Sequence, residues 1–438
     1  MALNIKSKYV SDILSVVNTK IIVLLLGLVG TVFISRGLGA DGRGLLAALL
    51  IYPQLLVSVF EGGMRQAAML YLGKKKATEK EVISALFLFT LVASFVGYSL
   101  ALYLIYQSAE GDINLILIFV ASIVLPLSLM VSALRGVFLG KQKIQRFNKL
   151  SWVEKTIYAI GVCFLFMFGF IDVFSVLLLT VASSFINLLI GLYFFYKDKP
   201  QFGTFKITLM WDMLKIGFIY GLAFFFIELN YKVDILLLTH LSTNFELGQY
   251  TLAVKLGELL WQLPGAVVVV LLSKGVNSSS KDMVPVVTKT ARLTLLISFF
   301  CSICLITASY LFVVPIFGDD FSNVANIVLA LMPGLLLMVL FKTVNSHFAG
   351  QGKPHFAIKI MSIAVVINVL LNFILIPKYQ ALGAAIASAI SYAVASIIAA
   401  GMFCFNEKIP LKELIIIQRD DLKPLIKIIK KRKKGYNA

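Results

Sequence analysis

Long apolar segments recur from one end of this chain to the other and restrict its fold more than any other feature. A helix needs about 20 mostly apolar residues to cross the hydrocarbon core of a bilayer. The 438 residues are 59% hydrophobic and 14% charged, whereas soluble domains carry about 25% charged residues. This composition excludes a soluble enzyme and predicts an all-α integral membrane protein with twelve transmembrane helices. The candidate spans are roughly 12–35, 44–64, 82–107, 114–139, 152–171, 173–196, 213–239, 248–272, 288–315, 325–349, 356–376 and 382–405.

The loops between these spans differ in charge from one side of the membrane to the other. With the N-terminus in the cytoplasm, the inner loops and ends carry most of the 40 Lys and Arg residues. The outer loops then carry Arg36, Arg43 and Lys378. Because Lys and Arg concentrate in cytoplasmic loops, the sequence predicts that both termini are cytoplasmic. Topology thus accounts for the net charge of +18, and no nucleic-acid partner is expected.

Three short sequence segments recur in the same order about half a chain apart. Their nearly constant offset indicates duplication of a six-helix unit, and two units with an even number of spans face the same way across the membrane. Two such lobes with substrate bound between them form a transporter architecture. The matches pair 42–47 with 248–253, 125–130 with 332–338, and 138–143 with 348–353.

Span count and duplication together divide the chain into four regions. The last of them carries Leu and Ile among closely spaced lysines, which is typical of an interfacial helix held by anionic lipid. A solvated end is the alternative interpretation. The predicted regions are an N-terminal six-helix lobe at 1–196, a cytoplasmic linker at 197–212, a C-terminal six-helix lobe at 213–405 and a basic cytoplasmic tail at 406–438.

Basic residues inside the spans are candidate binding residues, because each charge costs about 2.5–3.5 kcal/mol at a helix centre on insertion scales. Arg135 and Lys342 lie near the inner ends of the fourth and tenth spans and have no acidic neighbour within one helical turn. They either extend to the membrane interface or line a cavity for an anionic head group, since Arg and Lys both bind phosphate. Lys232 and Lys255 complete the predicted set of substrate-binding cations.

Four acidic residues inside the spans are candidate sites for coupling transport to an ion gradient. Three of them stand about one helical turn from a base, so that intrahelical ion pairs are the alternative interpretation. The acids are Glu61, Glu228, Asp234 and Glu258, and the neighbouring bases are Arg65, Lys232 and Lys255. No metal-ligand cluster, nucleophile–base set or phosphate-binding loop stands out, so the sequence predicts neither an enzyme nor a metal site.

Several segments resemble the oligosaccharide flippases of the MOP (multidrug/oligosaccharidyl-lipid/polysaccharide) superfamily. The resemblance extends over the whole chain in span number and loop order. Twelve spans favour the Wzx type over the lipid II flippases, which usually add two helices. The similar segments are N-Y-K-V-D-I-L-L-L at 230–238, E-L-G-Q-Y-T-L-A-V-K-L-G-E-L-L-W-Q-L-P-G-A at 246–266, S-R-G-L-G-A-D-G-R-G at 35–44 and A-G-Q-G-K at 349–353.

This resemblance implies a function in polysaccharide assembly. The chain would flip undecaprenyl-pyrophosphate-linked oligosaccharide repeat units from the cytoplasmic to the periplasmic leaflet of the bacterial inner membrane, for O-antigen or capsule. The expected partners are that lipid-linked oligosaccharide, membrane lipids and a polysaccharide polymerase, and a proton or sodium gradient rather than a cofactor would drive transport. The alternatives are a multidrug/cation antiporter of the same superfamily and a membrane-embedded polymerase or ligase. The latter predicts a large periplasmic loop, which this sequence lacks.

Overall fold

A computed structural model describes residues 2–108, 114–262, 280–418 and 421, with side chains from Asn18 onward except those of residues 280 and 281. This described part consists of helices and connecting turns, with no strand. Nine helical segments in it are long and apolar enough to cross a membrane, which confirms the expected all-α membrane fold. The helices are α1 (Ala2–Glu61), α2 (Met64–Gly73), α3 (Glu79–Ser108), α4 (Leu115–Gly140), α5 (Ile144–Met167), α6 (Val173–Tyr196), α7 (Ile207–Leu241), α8 (Asn244–Gly257), α9 (Ser280–Phe317), α10 (Val324–Gly350), α11 (His355–Glu407) and α12 (Leu411–Ile415).

Two of these helices are too long for one span. A straight helix of the length of α1, 60 residues, would extend about 90 Å, roughly three times the hydrocarbon thickness of a bilayer. Non-helical backbone interrupts α1 at Gly39 (φ 67°) and α11 at Gln380 (φ 51°), and each break leaves two segments of spanning length. The second half of the predicted eighth span lies mostly at 263–279, outside the described residues, so the total of twelve spans stays a prediction.

The connecting segments gather at two ends of the helix bundle. At one end, Asp198 lies 2.5 Å from Lys143 and 2.6 Å from Arg146. Burial alone would raise the pKa of Asp198, but the hydrogen bonds from these two bases outweigh it and hold the pKa below its ordinary value. We call this end the basic face; its segments are 74–78, 141–143 and 197–206. We call the other end the acidic face; its segments are 39–41, 168–172, 242–246 and 318–323.

The buried apolar side chains form separate clusters in the two halves of the chain. The largest lies mainly in the second half and includes Phe321, Phe341 and Phe403. Smaller clusters in the first half surround Phe138 and Leu49. Large apolar side chains elsewhere point outward, as expected for a lipid-facing surface. The exact boundaries of the four predicted regions stay a prediction.

The described start of the predicted tail packs back on the second half. Arg292 of α9 donates two hydrogen bonds to Asp421, at 2.6 and 2.9 Å, and a third to the backbone carbonyl of Glu413. The hydrogen bond from Arg292 lowers the pKa of Asp421. The lysine-rich segment at 422–438, with its predicted interfacial helix, lies outside the described residues.

Candidate functional site in a central cavity

A central cavity separates α1 and α5 of the first half from α7, α8 and α10 of the second. Two of its chambers have volumes of about 470 Å³ each and share Lys255 and Glu258 as lining residues. One of these two chambers is lined by Tyr231. It shares Thr251 and Lys255 with a third chamber of about 340 Å³, and Glu228 and Lys232 with a fourth of about 210 Å³. The shared lining residues show that the four chambers are neighbours, and we call them together the central cavity. Each of the two largest chambers has a volume within the about 300–1,000 Å³ range of ligand pockets.

The two halves close this cavity at the acidic face through a glycine crossing. The second segment of α1 passes α8 so closely that a Cβ atom built at Gly44 would lie 1.8 Å from the carbonyl oxygen of Asn244. The contact is reciprocal, since a Cβ atom at Gly248 would lie 1.9 Å from the carbonyl oxygen of Ala40. Glycine, which has no Cβ atom, therefore allows the two backbones to touch.

Polar contacts between the halves strengthen this closure. The Arg36 side chain donates hydrogen bonds to the backbone carbonyls of Pro315 and Ile316, the latter at 2.6 Å. The backbone N–H of Ala40 donates to a carboxylate oxygen of Asp320 at 3.3 Å. These contacts join the turn between the two segments of α1 to the end of α9.

Toward the basic face the cavity continues between the halves. Phe147 and Asn148, which line the chamber that contains Lys20 and Lys342, lie in the first two turns of α5 directly after the basic-face segment 141–143. The cavity thus reaches toward the basic face while contacts close it at the acidic face.

Three of the predicted cations line the cavity. Lys232 forms an ion pair with Glu228 at 2.9 Å, one turn away on α7, and Lys255 is exposed. The Nζ atom of Lys342 lies over two aromatic rings, 4.0 Å from the centre of Trp261 and 5.0 Å from that of Tyr231. The sequence-based set of cations is therefore brought together, except for Arg135.

Arg135 is not among the lining residues of these four chambers, and it has partners on α5. Its Nη2 atom donates to the backbone carbonyl of Leu150 at 2.8 Å and lies 3.7 Å from a carboxylate oxygen of Glu154. Asn187 of α6 donates to the same two groups. Arg135 lacks an acidic neighbour only along its own helix, so the structure supports a role in joining α4, α5 and α6, and its predicted role in binding substrate stays untested.

The predicted coupling acids fall into two groups. Glu228 and Glu258 line the large chambers, and Glu61 lines the smaller one, where it pairs with Arg65 at 2.7 Å. Asp234 instead lies fully buried within the second half. Its carboxylate accepts hydrogen bonds from Tyr250 of α8 at 2.7 Å and from Asn372 and Ser388 of α11, the former at 2.9 Å.

Sequence reasoning missed three further cations that line the cavity. Lys20 and Lys155 lie inside predicted spans, close to the cytoplasmic ends, and the sequence groups them with the cytoplasmic bases. In the structure both side chains are exposed and line the cavity. Arg43 was expected in an outer loop, yet it belongs to α1, where it donates to Ser35 at 3.1 Å and to Thr251 at 3.2 Å. In the sequence, the feature that could have indicated a place in the cavity is that all three lie near the ends of the long apolar segments.

The net charge of this lining is positive. Two of its acids, Glu61 and Glu228, form ion pairs with bases of the same cavity. Among the described side chains, Lys20, Lys255 and Lys342 have no acidic atom within 4.0 Å. A cavity with several unpaired cations and an apolar surround is suited to an anion, since hydrogen bonds between an ammonium group and a phosphate are strengthened by charge.

Comparisons with known proteins agree with this architecture. The sequence profile of a family described as "Polysaccharide biosynthesis protein" matches residues 10–272. An uncharacterized membrane protein of Methanocaldococcus jannaschii is 24% identical over 380 residues, which cover 81% of this chain and 88% of that protein.

Solved structures with a similar fold belong to the same superfamily. The lipid II flippase MurJ in an inward closed conformation has a TM-score of 0.73 at 18% identity, covering 90% of this chain and 88% of that chain. An inward-facing multidrug resistance MATE family transporter has a TM-score of 0.68 at 15% identity, covering 90% and 98%. These similarities confirm the MOP superfamily fold that the sequence predicted. Since the family profile covers more than half of its length, the chain belongs to the polysaccharide biosynthesis protein family.

Proposed function

We propose that this protein carries a polyprenyl-pyrophosphate-linked oligosaccharide from the cytoplasmic to the outer leaflet by alternating access. The observation that supports this proposal is the cationic cavity, closed at one face and continuing toward the other. The diphosphate and its sugars would enter the cavity, where Lys232, Lys255 and Lys342 would hold the diphosphate, while the polyprenyl chain stays in lipid. O-antigen or capsule precursors are the substrates proposed, and a polysaccharide polymerase is a proposed partner.

We further propose that the basic face is cytoplasmic in a bacterial inner membrane. Cytoplasmic loops carry an excess of Lys and Arg, and the basic face contains Lys74–Lys76 and Lys141–Lys143. The acidic face, which contains Asp172, Asp319 and Asp320, would then face outward. The closed glycine crossing would make the described conformation inward-facing.

A multidrug/cation antiporter is the alternative function, and the fold similarity to a MATE transporter accommodates it. An organic cation would require unpaired acids in the cavity. Glu61 and Glu228 are instead paired with bases. Among the described residues that line the cavity, Glu258 has no base within 4.0 Å, but the three unpaired cations Lys20, Lys255 and Lys342 outnumber it. The charge of the lining therefore favours an anionic substrate.

A reconstituted transport assay tests the choice between these functions. Purified protein in liposomes should move a fluorescently labelled lipid-diphosphate oligosaccharide between leaflets, and the label should become accessible to a membrane-impermeant quencher. Protein-free liposomes are the control, and uptake of a fluorescent organic cation is measured in parallel. Cation uptake without movement of the lipid-linked sugar would overturn the proposed function.

We propose Asp234 as the acid that couples transport to a proton or sodium gradient. Asp234 is fully buried and joins α7 to α8 and α11, so a change in its charge or ligand state would alter the packing of all three helices. Asp234→Asn keeps the size of the side chain but cannot ionise. We expect this variant to bind lipid diphosphate normally but to lose its transport response to an imposed gradient.

Proteoliposomes with a proton gradient or a sodium gradient imposed separately provide the measurement, and they also identify the ion. Asp319→Asn is the matched control, because Asp319 is exposed at the acidic face and does not line the chambers described above. An unchanged gradient response of Asp234→Asn would show that the coupling acid lies elsewhere.

A further inference from the structure

Three aromatic side chains meet at the junction of the two largest chambers. The ring centres of Tyr231 and Trp261 are 5.0 Å apart, and Tyr392 lies 5.9 and 5.8 Å from them. Trp261 lines one chamber and Tyr231 lines the other. We call these three residues the aromatic cluster.

The indole of Trp261 is held in a fixed orientation. Its Nε1–H group donates to the backbone carbonyl of Leu335 at 2.9 Å, and only 9% of the residue is exposed. A buried indole usually finds such a partner. Because the polar edge is satisfied by backbone, the ring face is what remains for contacts on the cavity side.

Lys342 covers that face. Its ammonium lies 4.0 Å from the centre of the Trp261 ring and 5.0 Å from that of Tyr231, within the distance of a cation–π contact. No acidic atom of the described residues lies within 4.0 Å of it. Lys342 is therefore a cation whose observed partners are aromatic rings, and a diphosphate would offer a stronger one.

We propose that the aromatic cluster is the subsite for the sugar bonded directly to the diphosphate, and that Lys342 uncovers this subsite by moving to the diphosphate. The proposal rests on the proposed function and specifies which part of the head group the cavity recognises. The first sugar of such a substrate is covalently attached to the phosphate. A cation that binds phosphate and a ring face that binds sugar must accordingly be neighbours, as Lys342 and Trp261 are.

The chemistry of the two partners explains why they share one face. The face of an aromatic ring carries negative charge from its quadrupole, so it attracts an ammonium group. One face of a sugar ring consists of C–H groups with partial positive charge, and these are attracted in the same way. The ammonium and the sugar thus compete for the same ring face. When the diphosphate binds the ammonium, the ring face becomes free for the sugar.

The proposal predicts that the protein distinguishes a sugar-bearing lipid diphosphate from a bare one. A bare lipid diphosphate would draw Lys342 from the ring but leave the face exposed to water. The matched sugar-free probe is methyl farnesyl diphosphate, because this diester has the same charge as the sugar-bearing one, whereas farnesyl diphosphate carries an additional negative charge. We expect farnesyl diphospho-N-acetylglucosamine to bind about tenfold more tightly than methyl farnesyl diphosphate, the upper range for contacts of one aromatic cluster.

Tryptophan fluorescence reports the subsite directly. The chain has three tryptophans, and Trp152→Phe with Trp211→Phe leaves Trp261 as the sole emitter in the full-length protein. Because Lys342 lies over this indole, its departure and the arrival of a sugar should both change the emission. The sugar-bearing probe is expected to give a saturable shift different from that of methyl farnesyl diphosphate.

Substitution of the ring face tests the energetic role. Trp261→Leu should make the affinities for the two probes equal. The affinity for methyl farnesyl diphosphate should not fall, because Lys342 no longer has to leave the ring to bind the diphosphate. Trp211→Leu is the matched control, because Trp211 is 56% exposed. Tyr231→Leu provides a second variant should loss of the indole prevent folding.

The outcomes separate this proposal from the proposed function. Failure of both probes to bind the unaltered protein would overturn the proposed function and this proposal with it. Equal affinities for the two probes, or an equal loss of both in Trp261→Leu, would overturn the sugar subsite alone. If the emission of the protein with Trp261 as its sole tryptophan does not change on addition of the sugar-bearing probe, the sugar subsite is also overturned, because the intact ring then makes no contact with substrate.

Discussion

Gly44→Val is expected to abolish transport while leaving the protein in the membrane. A Cβ atom at Gly44 would lie 1.8 Å from the carbonyl oxygen of Asn244 and 2.6 Å from its carbonyl carbon. Because these are backbone atoms, no rotation of a side chain relieves the overlap, and α1 must move away from α8. The acidic face would then no longer close, and a carrier that cannot close one face cannot alternate between its two sides.

Accessibility from outside measures this change. In a variant whose four cysteines are replaced by serine, Gln54→Cys places a thiol on an exposed position of the cavity wall. A membrane-impermeant maleimide added outside should label it faster in Gly44→Val than with Gly44 present, because the unaltered protein opens to the outside only during part of its cycle. Gly401→Val is the control, since a Cβ atom at Gly401 meets no atom within 4 Å. Normal transport by Gly44→Val would contradict the proposed role of the glycine crossing.

Lys342→Gln is expected to lower transport by at least about tenfold at normal membrane levels. A hydrogen bond to a charged group contributes roughly 1.5–3 kcal/mol, and 1.4 kcal/mol corresponds to a tenfold change in affinity. Glutamine retains a donor but cannot offer the positive charge. Lys255→Gln should have a similar effect, because Lys255 lines both large chambers.

Arg135→Gln provides the informative comparison. Arg135 contacts Leu150 and Glu154 rather than the chambers, so we expect less folded protein but near-normal transport for each folded molecule. Thermal stability in detergent and restoration of surface polysaccharide in a flippase-deficient strain give the two measurements. Full restoration by Lys342→Gln would contradict the cationic cavity, whereas a transport loss in a fully stable Arg135→Gln would support direct binding by Arg135.

The glycines at the crossing illustrate what a sequence pattern conceals. Gly44 and Gly248 fall within repeated segments that indicated duplication, and nothing in either segment revealed that Gly44 touches Asn244 or that Gly248 touches Ala40. Close approach of two backbones depends on how the halves are placed relative to each other. That placement results from contacts between residues about two hundred positions apart, which no local pattern encodes.

The ionisable residues show the same difference between contacts within one helix and contacts between helices. The i,i+4 spacing of Glu228 and Lys232 predicted an ion pair that the structure contains, since both residues lie on one helix. The acidic partner of Arg135 is Glu154 on the next helix, α5. The Lys342 ammonium lies over the ring of Trp261, which follows the end of α8. The sequence predicts Arg43 in an outer loop, but the break in α1 lies at Gly39 and Arg43 belongs to the helical segment that follows it.

The sequence by itself determined that the chain is an all-helical membrane protein. The reason is physical: in lipid each backbone polar group must be satisfied within its own helix, so every span is a local property that about 20 consecutive residues display. Tertiary structure alone decided which charges share a cavity, which face is closed and which ring Lys342 covers. These features depend on the packing of helices against one another, where a single small residue or a single turn changes which side chains meet.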